Sequence, residues 1–159
     1  MKINGKKLSG PNKVTIVLPR DGGDLAFIAK GVLDYDDFNK LCPLPEPPKI
    51  RRKGDDFATP DYSAPDYQEK ISKYGAEKSA WMIIKSLEDT EGLEFESIKM
   101  DDHTTWTGVY KEFKDSGLCD MEITRLIDGV MEANSLSDER VEEARSRFLA
   151  SKLQVPKDL

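Results

Sequence analysis

Apolar and polar positions alternate over VTIVLPR, residues 14–20, and again over DLAFIAKGV, residues 24–32, where Leu25, Phe27 and Ala29 share one side. The first run is rich in β-branched residues, and Asp21-Gly22-Gly23 between the two is a turn signal. Together they predict an antiparallel β-hairpin. A short helix should follow. Asp34 can cap it, Asp37 stands three residues on as in a capping box, Leu33 can staple onto Phe38, and Pro43 ends it.

Periodicity then lapses. Six of the nine prolines fall between Pro43 and Pro65, mixed with charge, glycine and aspartate. Such a segment favours extended, polyproline-like backbone and cannot build a core. Phe57, Tyr62 and Tyr67 are its large apolar handholds. Pro45 and Pro48 have PxxP spacing, but Glu46 interrupts the motif and the basic residue after it is displaced by one. The stretch therefore reads as a semi-rigid spacer or arm rather than an SH3 ligand.

Helical periodicity resumes at about Asp66 and runs to Leu87, with Tyr67, Ile71, Tyr74, Trp81 and Leu87 on one side. AWMII at 80–84 is apolar nearly all round and demands burial on several sides. LEFESI after Gly92 alternates like a short strand. Thr104 or Thr105 can cap a helix through Val109, Tyr110 and Phe113 that Gly117 ends. Asp120 can cap the next, with Ile123, Leu126, Ile127 and Val130 at i, i+3, i+4, i+7. Ser137 can cap the last, with Leu136 placed to staple onto Val141 and a thin stripe of Val141, Ala144 and Phe148.

These elements predict a helix-dominated α+β fold: an N-terminal β-hairpin, four to five helices and a proline-rich extended arm. The expected layout is hairpin and short helix at 1–42, arm at 43–65, a helical part at 66–152 sharing a core with 14–42, and a tail at 153–159. The predicted core is Phe27, Phe38, Ile71, Tyr74, Trp81, Ile84, Leu126, Val130 and Phe148. Trp106, near a helix start, is a candidate both for that core and, with Phe57 and Tyr62, for a partner-binding anchor.

Composition narrows the function classes. Apolar residues are 38% and charged residues 34%, too apolar for full disorder but polar for a globular chain. The net charge of -6 conceals a polarity. Residues 1–53 carry eleven Lys/Arg against six Asp/Glu, and residues 86–151 carry seven against seventeen. The acidic half is unsuited to nucleic acid and suited to a basic partner or to head-to-tail self-association. No apolar run is long enough for a membrane span, and the basic start lacks a signal peptide's apolar stretch. Cys42 and Cys119 fit no ligand spacing and read as reduced thiols.

Catalytic patterns are missing. The one histidine, His103 in DDHTTW, has no nucleophile context and no paired His or Cys ligands, so a turn set by Asp101 or Asp102 explains it better than catalysis or metal binding. DYDD at 34–37 lacks the glycine and terminal glutamate of a calcium loop. PRDGGD lacks the phosphate-loop context and reads as the hairpin turn. The expectation is a non-enzymatic protein with no cofactor and no metal.

The runs KSAWMIIKSLEDTEGLEFESIKMDDHTTW and GLCDMEITRLIDGVMEANSLSDERVEEARSRFL, with AFIAKGVLDYDDFNKLCPLPEPP before them, resemble a group of small tailed-bacteriophage proteins. These are tail assembly chaperones and small structural proteins. The resemblance spans most of residues 26–149. It implies a protein of the infected host's cytoplasm that binds a tail protein, such as tape-measure or tube protein, during virion assembly. It supplies no catalytic residues. Two alternatives stand beside this expectation: a structural component retained in the virion, and a phage effector that binds a host protein.

Overall fold

Strand Lys13–Leu18 (β1) pairs antiparallel with Leu25–Lys30 (β2) in the computed structural model, which describes residues 1–153. The register runs from Lys13 opposite Lys30 to Leu18 opposite Leu25, and the Gly23 N–H donates to the Arg20 carbonyl to close the turn. Five α-helices are present among the described residues: Asp36–Leu41 (α1), Pro65–Ser86 (α2), Val109–Asp115 (α3), Asp120–Ala133 (α4) and Asp138–Leu153 (α5). The fold is a helix-dominated α+β arrangement, as the alternation and periodicity predict. The tail expected at 153–159 lies, apart from its first residue, outside the described residues.

The chain gathers into two compact units. The first is built from Met1–Leu33, Lys85–Leu93 and Leu118–Leu159, and the second from Asp34–Ile84 and Glu94–Gly117. The short helix α1 therefore belongs with the second unit, not with the hairpin that precedes it.

In the first unit α4 lies on the hairpin. Period 2 in the strands turns Ile16, Leu18, Phe27 and Ala29 inward, and period 3.6 in the helix supplies Ile123, Leu126, Val130 and Ala133, all buried. Two glycines set the approach. A Cβ on Gly129 would stand 2.4 Å from Ile16 Cγ1 and Cδ1, and one on Gly31 would stand 2.7 Å from the Ala133 carbonyl oxygen. Beyond α4, Asn134 accepts from the Val32 N–H at 2.8 Å and donates to Ser86 Oγ at 2.8 Å. Thr90 Oγ1 accepts from the Ile28 N–H at 2.9 Å and lies 3.2 Å from the Ile28 carbonyl. Buried backbone groups at the strand edge are thereby satisfied by side chains.

Asp89 sits between Lys13 (3.3 Å) and Lys30 (3.4 Å), the cross-strand pair at the open end of the hairpin. Its hydrogen bond to Lys13, followed by the charge of Lys30, holds its carboxyl below the usual carboxylate range. A carboxylate whose folded pKa is depressed adds stability above its unfolded pKa and loses it as pH falls through the folded value. Acid titration of the folding equilibrium should therefore show a destabilising limb in and below the ordinary Asp range, about pH 4. Asp89→Asn should flatten that limb, and an unchanged limb would mean that the Lys–Asp–Lys bridge is too solvated to matter.

The second unit is organised by aromatic rings. Phe38 of α1 lies 5.3 Å from Tyr74, 5.8 Å from Trp81 and 5.7 Å from Trp106, centroid to centroid, and Tyr35 lies 5.3 Å from Trp81. Offset and edge contacts of this kind add to the burial term. Phe38, Trp81 and Ile84 are buried, while Ile71 and Tyr74 are half-buried near the cluster's margin.

Several local expectations differ from what forms. The Leu33 staple is absent, since Leu33 is exposed, and Asp34 accepts from the Asp36 N–H in a turn ahead of α1 rather than capping it. The proline-rich stretch 43–65 carries a two-residue ladder, Lys49–Ile50 (β3) with Thr59–Pro60 (β4), that folds 51–58 into a loop. LEFESI forms no strand, because the Glu96 and Ser97 N–H groups donate to the Glu112 carboxylate instead of a neighbouring strand. Asp102, not Thr104 or Thr105, caps the 3-10 turn His103–Gly108 that leads into α3, accepting from the Thr104 N–H at 3.1 Å. α4 starts one residue earlier than its predicted cap allows: Cys119 is the N-cap, and Glu122 accepts from its N–H at 2.9 Å.

Phe148, placed in the core by its spacing, is 60% exposed. Its helix leaves Phe148 open to solvent and Val141 half covered, with Val141 and Ala144 facing Asn12, Lys13 and Val14 across a shallow concavity.

Candidate functional site

Three chemically distinct side chains from separate parts of the chain meet in the second unit. Cys42 is the C-cap of α1, with its N–H donating to the Phe38 carbonyl at 2.8 Å. Glu77 lies in the middle of α2. His103 opens the 3-10 turn that Asp102 caps. The Cys42 thiol donates to Glu77 Oε2 at 3.0 Å, and His103 Nδ1 lies 3.1 Å from the same oxygen. All three donor atoms fall within 4.8 Å of one another. Cys42 and Glu77 are buried, whereas the His103 side chain is 39% exposed and opens the cluster to solvent. Trp106, 6.1 Å from the imidazole and edge-on to it, backs the histidine from the protein side.

Burial, then the hydrogen bond and negative charge of Glu77, push the Cys42 thiol up to about 12, with Lys73 opposing weakly. This is the reverse of what a nucleophilic cysteine needs, since the thiolate is the reactive form and is favoured by positive surroundings. The carboxylate accepts from the thiol and also faces the imidazole. The imidazole Nδ1 is set against Glu77, and no hydrogen bond joins Cys42 to His103 among the described residues. A thiol, a carboxylate and an imidazole are, however, the donor types that a transition metal takes.

The proposed partner-binding residues do not converge. Phe57, 81% exposed, stands in the loop between β3 and β4, and Tyr62, 61% exposed, lies after β4 with its ring 5.9 Å from Tyr67. Trp106 is fully buried among the aromatic rings, and its Nε1 donates to the Lys99 carbonyl at 3.1 Å. It is a core residue and not an anchor: its apolar body is enclosed and its one polar atom is satisfied inside the protein.

A second exposed apolar surface comes from α5. Ser137 Oγ accepts from the Arg140 N–H at 3.5 Å at its start, and Arg140 pairs with Glu132. Beyond that, Val141, Phe148 and Leu149 are about half exposed or more, flanked by the pairs Glu142–Arg145 and Glu143–Arg147. No helix among the described residues is long and apolar enough to cross a membrane. Compared with protein-family models, curated proteins and solved structures, the chain finds no match in any of the three.

Proposed function

We propose that this chain is a non-enzymatic assembly protein of a tailed bacteriophage. It holds a tail or other virion protein in the host cytoplasm while the particle is built. The observation that carries this reading is α5, 16 residues whose apolar side chains Val141, Phe148 and Leu149 are about half exposed or more. A free helix of this length is marginal in water, and its i,i+3 and i,i+4 ion pairs add only a few tenths of a kcal/mol each. A preformed helix whose exposed apolar residues are flanked by acidic and basic side chains in equal number suits a partner that offers an apolar groove with a mixed-charge rim. The exposed Phe57, on the loop between β3 and β4, and Tyr62, after β4, supply two further aromatic anchors on the arm.

Co-expression with each tail protein of the same phage, followed by affinity capture, tests the reading. Val141→Ser with Phe148→Ser should leave Tm nearly unchanged and weaken capture at least about tenfold, the cost expected of losing anchor residues. Phe57→Ala with Tyr62→Ala should have a smaller effect in the same direction, and Pro45→Ala with Pro48→Ala none. Loss only with the proline pair would make the stretch a PxxP ligand and overturn the assignment. Stoichiometric presence in purified virions would identify a retained structural component, and capture of a host protein alone an effector.

A further inference from the structure

We propose that Cys42, Glu77 and His103 bind a single divalent transition-metal ion of the zinc type, with three protein ligands and a solvent-facing fourth position. The proposal rests on the cluster itself and not on the assembly role.

Donor chemistry points to the metal class. One thiolate sulfur, one carboxylate oxygen and one imidazole nitrogen form a mixed S/O/N set that zinc, and cobalt in its place, accepts. Calcium and magnesium take oxygen ligands and would leave the sulfur unused. Geometry agrees. Bonds of about 2.0–2.3 Å to a tetrahedral ion place neighbouring donors about 3.3–3.7 Å apart. The present separations of 3.0 Å and 3.1 Å from Glu77 Oε2 need to open by a few tenths of an ångström, and the Cys42 and His103 donors, within 4.8 Å of each other, need to settle into the same range.

Charge agrees as well. A carboxylate on the buried face of α2 is costly, and its hydrogen-bonding partners here are a thiol and an imidazole, while the Lys73 ammonium reaches Cys42 only through its charge. A dication with one thiolate, one carboxylate and one neutral imidazole sums to zero, which is the cheapest state for a buried set. The ligands are also held in place before any ion arrives. Cys42 is fixed by the end of α1, Glu77 by the middle of a 22-residue helix, and His103 by the Asp102-capped turn and the Trp106 edge. Such preorganisation separates a built site from surface acids that meet by chance. The exposed flank of His103 gives the ion an entry path and leaves room for water as the fourth ligand.

The test uses the full chain, treated with chelator and titrated with zinc and with cobalt(II). One equivalent should bind. The cobalt form should show a thiolate-to-metal charge-transfer band in the near ultraviolet, with visible bands of tetrahedral intensity. Cys42→Ser should remove the charge-transfer band. His103→Gln should weaken zinc binding by more than about tenfold, since even the residues supporting a ligand are worth 10–100-fold. Cys119→Ser, at the exposed cysteine, should change nothing. Circular dichroism checks that the variants fold; should Cys42→Ser fail, the more exposed His103→Gln decides alone. Absence of stoichiometric binding, a cobalt spectrum without a thiolate band, or binding that survives His103→Gln would overturn the proposal.

Discussion

Trp81→Ala is expected to lower the stability of the protein by about 3–5 kcal/mol, the cost of truncating a buried tryptophan in a close-packed site. Trp81 is 2% exposed and stands against both Tyr35 and Phe38. Its removal therefore takes away a wall that two other rings share, and neither can move in without leaving its own contacts. Small domains hold only about 5–15 kcal/mol in total, so the variant is expected to be partly unfolded at physiological temperature. Chemical denaturation measures the loss, and the near-ultraviolet dichroism of the rings should fade with it. A loss under about 1 kcal/mol would mean that the aromatic cluster is not the organising core of its unit.

Gly129→Val is expected to be destabilising for the opposite reason. A Cβ at this position already overlaps the Ile16 side chain at 2.4 Å, and valine adds two further carbons. Ile16 is buried on the inner face of the hairpin, and its branched side chain has few rotamers into which to retreat. Overpacking of this kind costs about 1–3 kcal/mol and occasionally more. The informative measurement is the double variant. Ile16→Ala vacates the space that valine needs, so Gly129→Val with Ile16→Ala should be more stable than the sum of the single losses predicts. Strict additivity would show that helix and hairpin do not meet at this glycine.

Much of the fold is legible along the chain. The hairpin follows from alternation with a glycine turn, and α2 and α4 follow from apolar spacing with recognisable starts. What the pattern does not say is which faces find cover. Val141, Ala144 and Phe148 repeat at the same spacing that buries Ile123, Leu126 and Val130, yet one stripe is enclosed and the other largely exposed. Spacing reports that a helix is two-sided and is silent about its partner. LEFESI fails for a related reason: alternation shows that a strand is possible, and a side-chain acceptor on α3 took its N–H groups first.

The three-residue cluster was illegible to a search by ligand spacing, because 35 residues separate Cys42 from Glu77 and 26 separate Glu77 from His103. One signal was available. Glu77 occupies the i+3 position after Tyr74 and the i−4 position before Trp81, on the apolar side of α2. A carboxylate placed inside such a stripe needs a buried partner, and seeking that partner would have directed attention to the lone histidine and the cysteine before the proline run.

The division into interleaved segments has a kinetic consequence. The first unit takes residues from the beginning, middle and end of the chain, so its hairpin cannot be completed by anything made soon after it. A ribosome adds about 5–20 residues per second, and Ala133 follows Lys30 by a little over a hundred residues, a delay of roughly 5–20 s. Hairpins alone form in about 1–10 μs but are marginally stable. The strand face bearing Ile16 and Phe27 therefore waits uncovered while about a hundred residues are added, and slow codons between residues 34 and 117 would raise aggregation without altering a single amino acid.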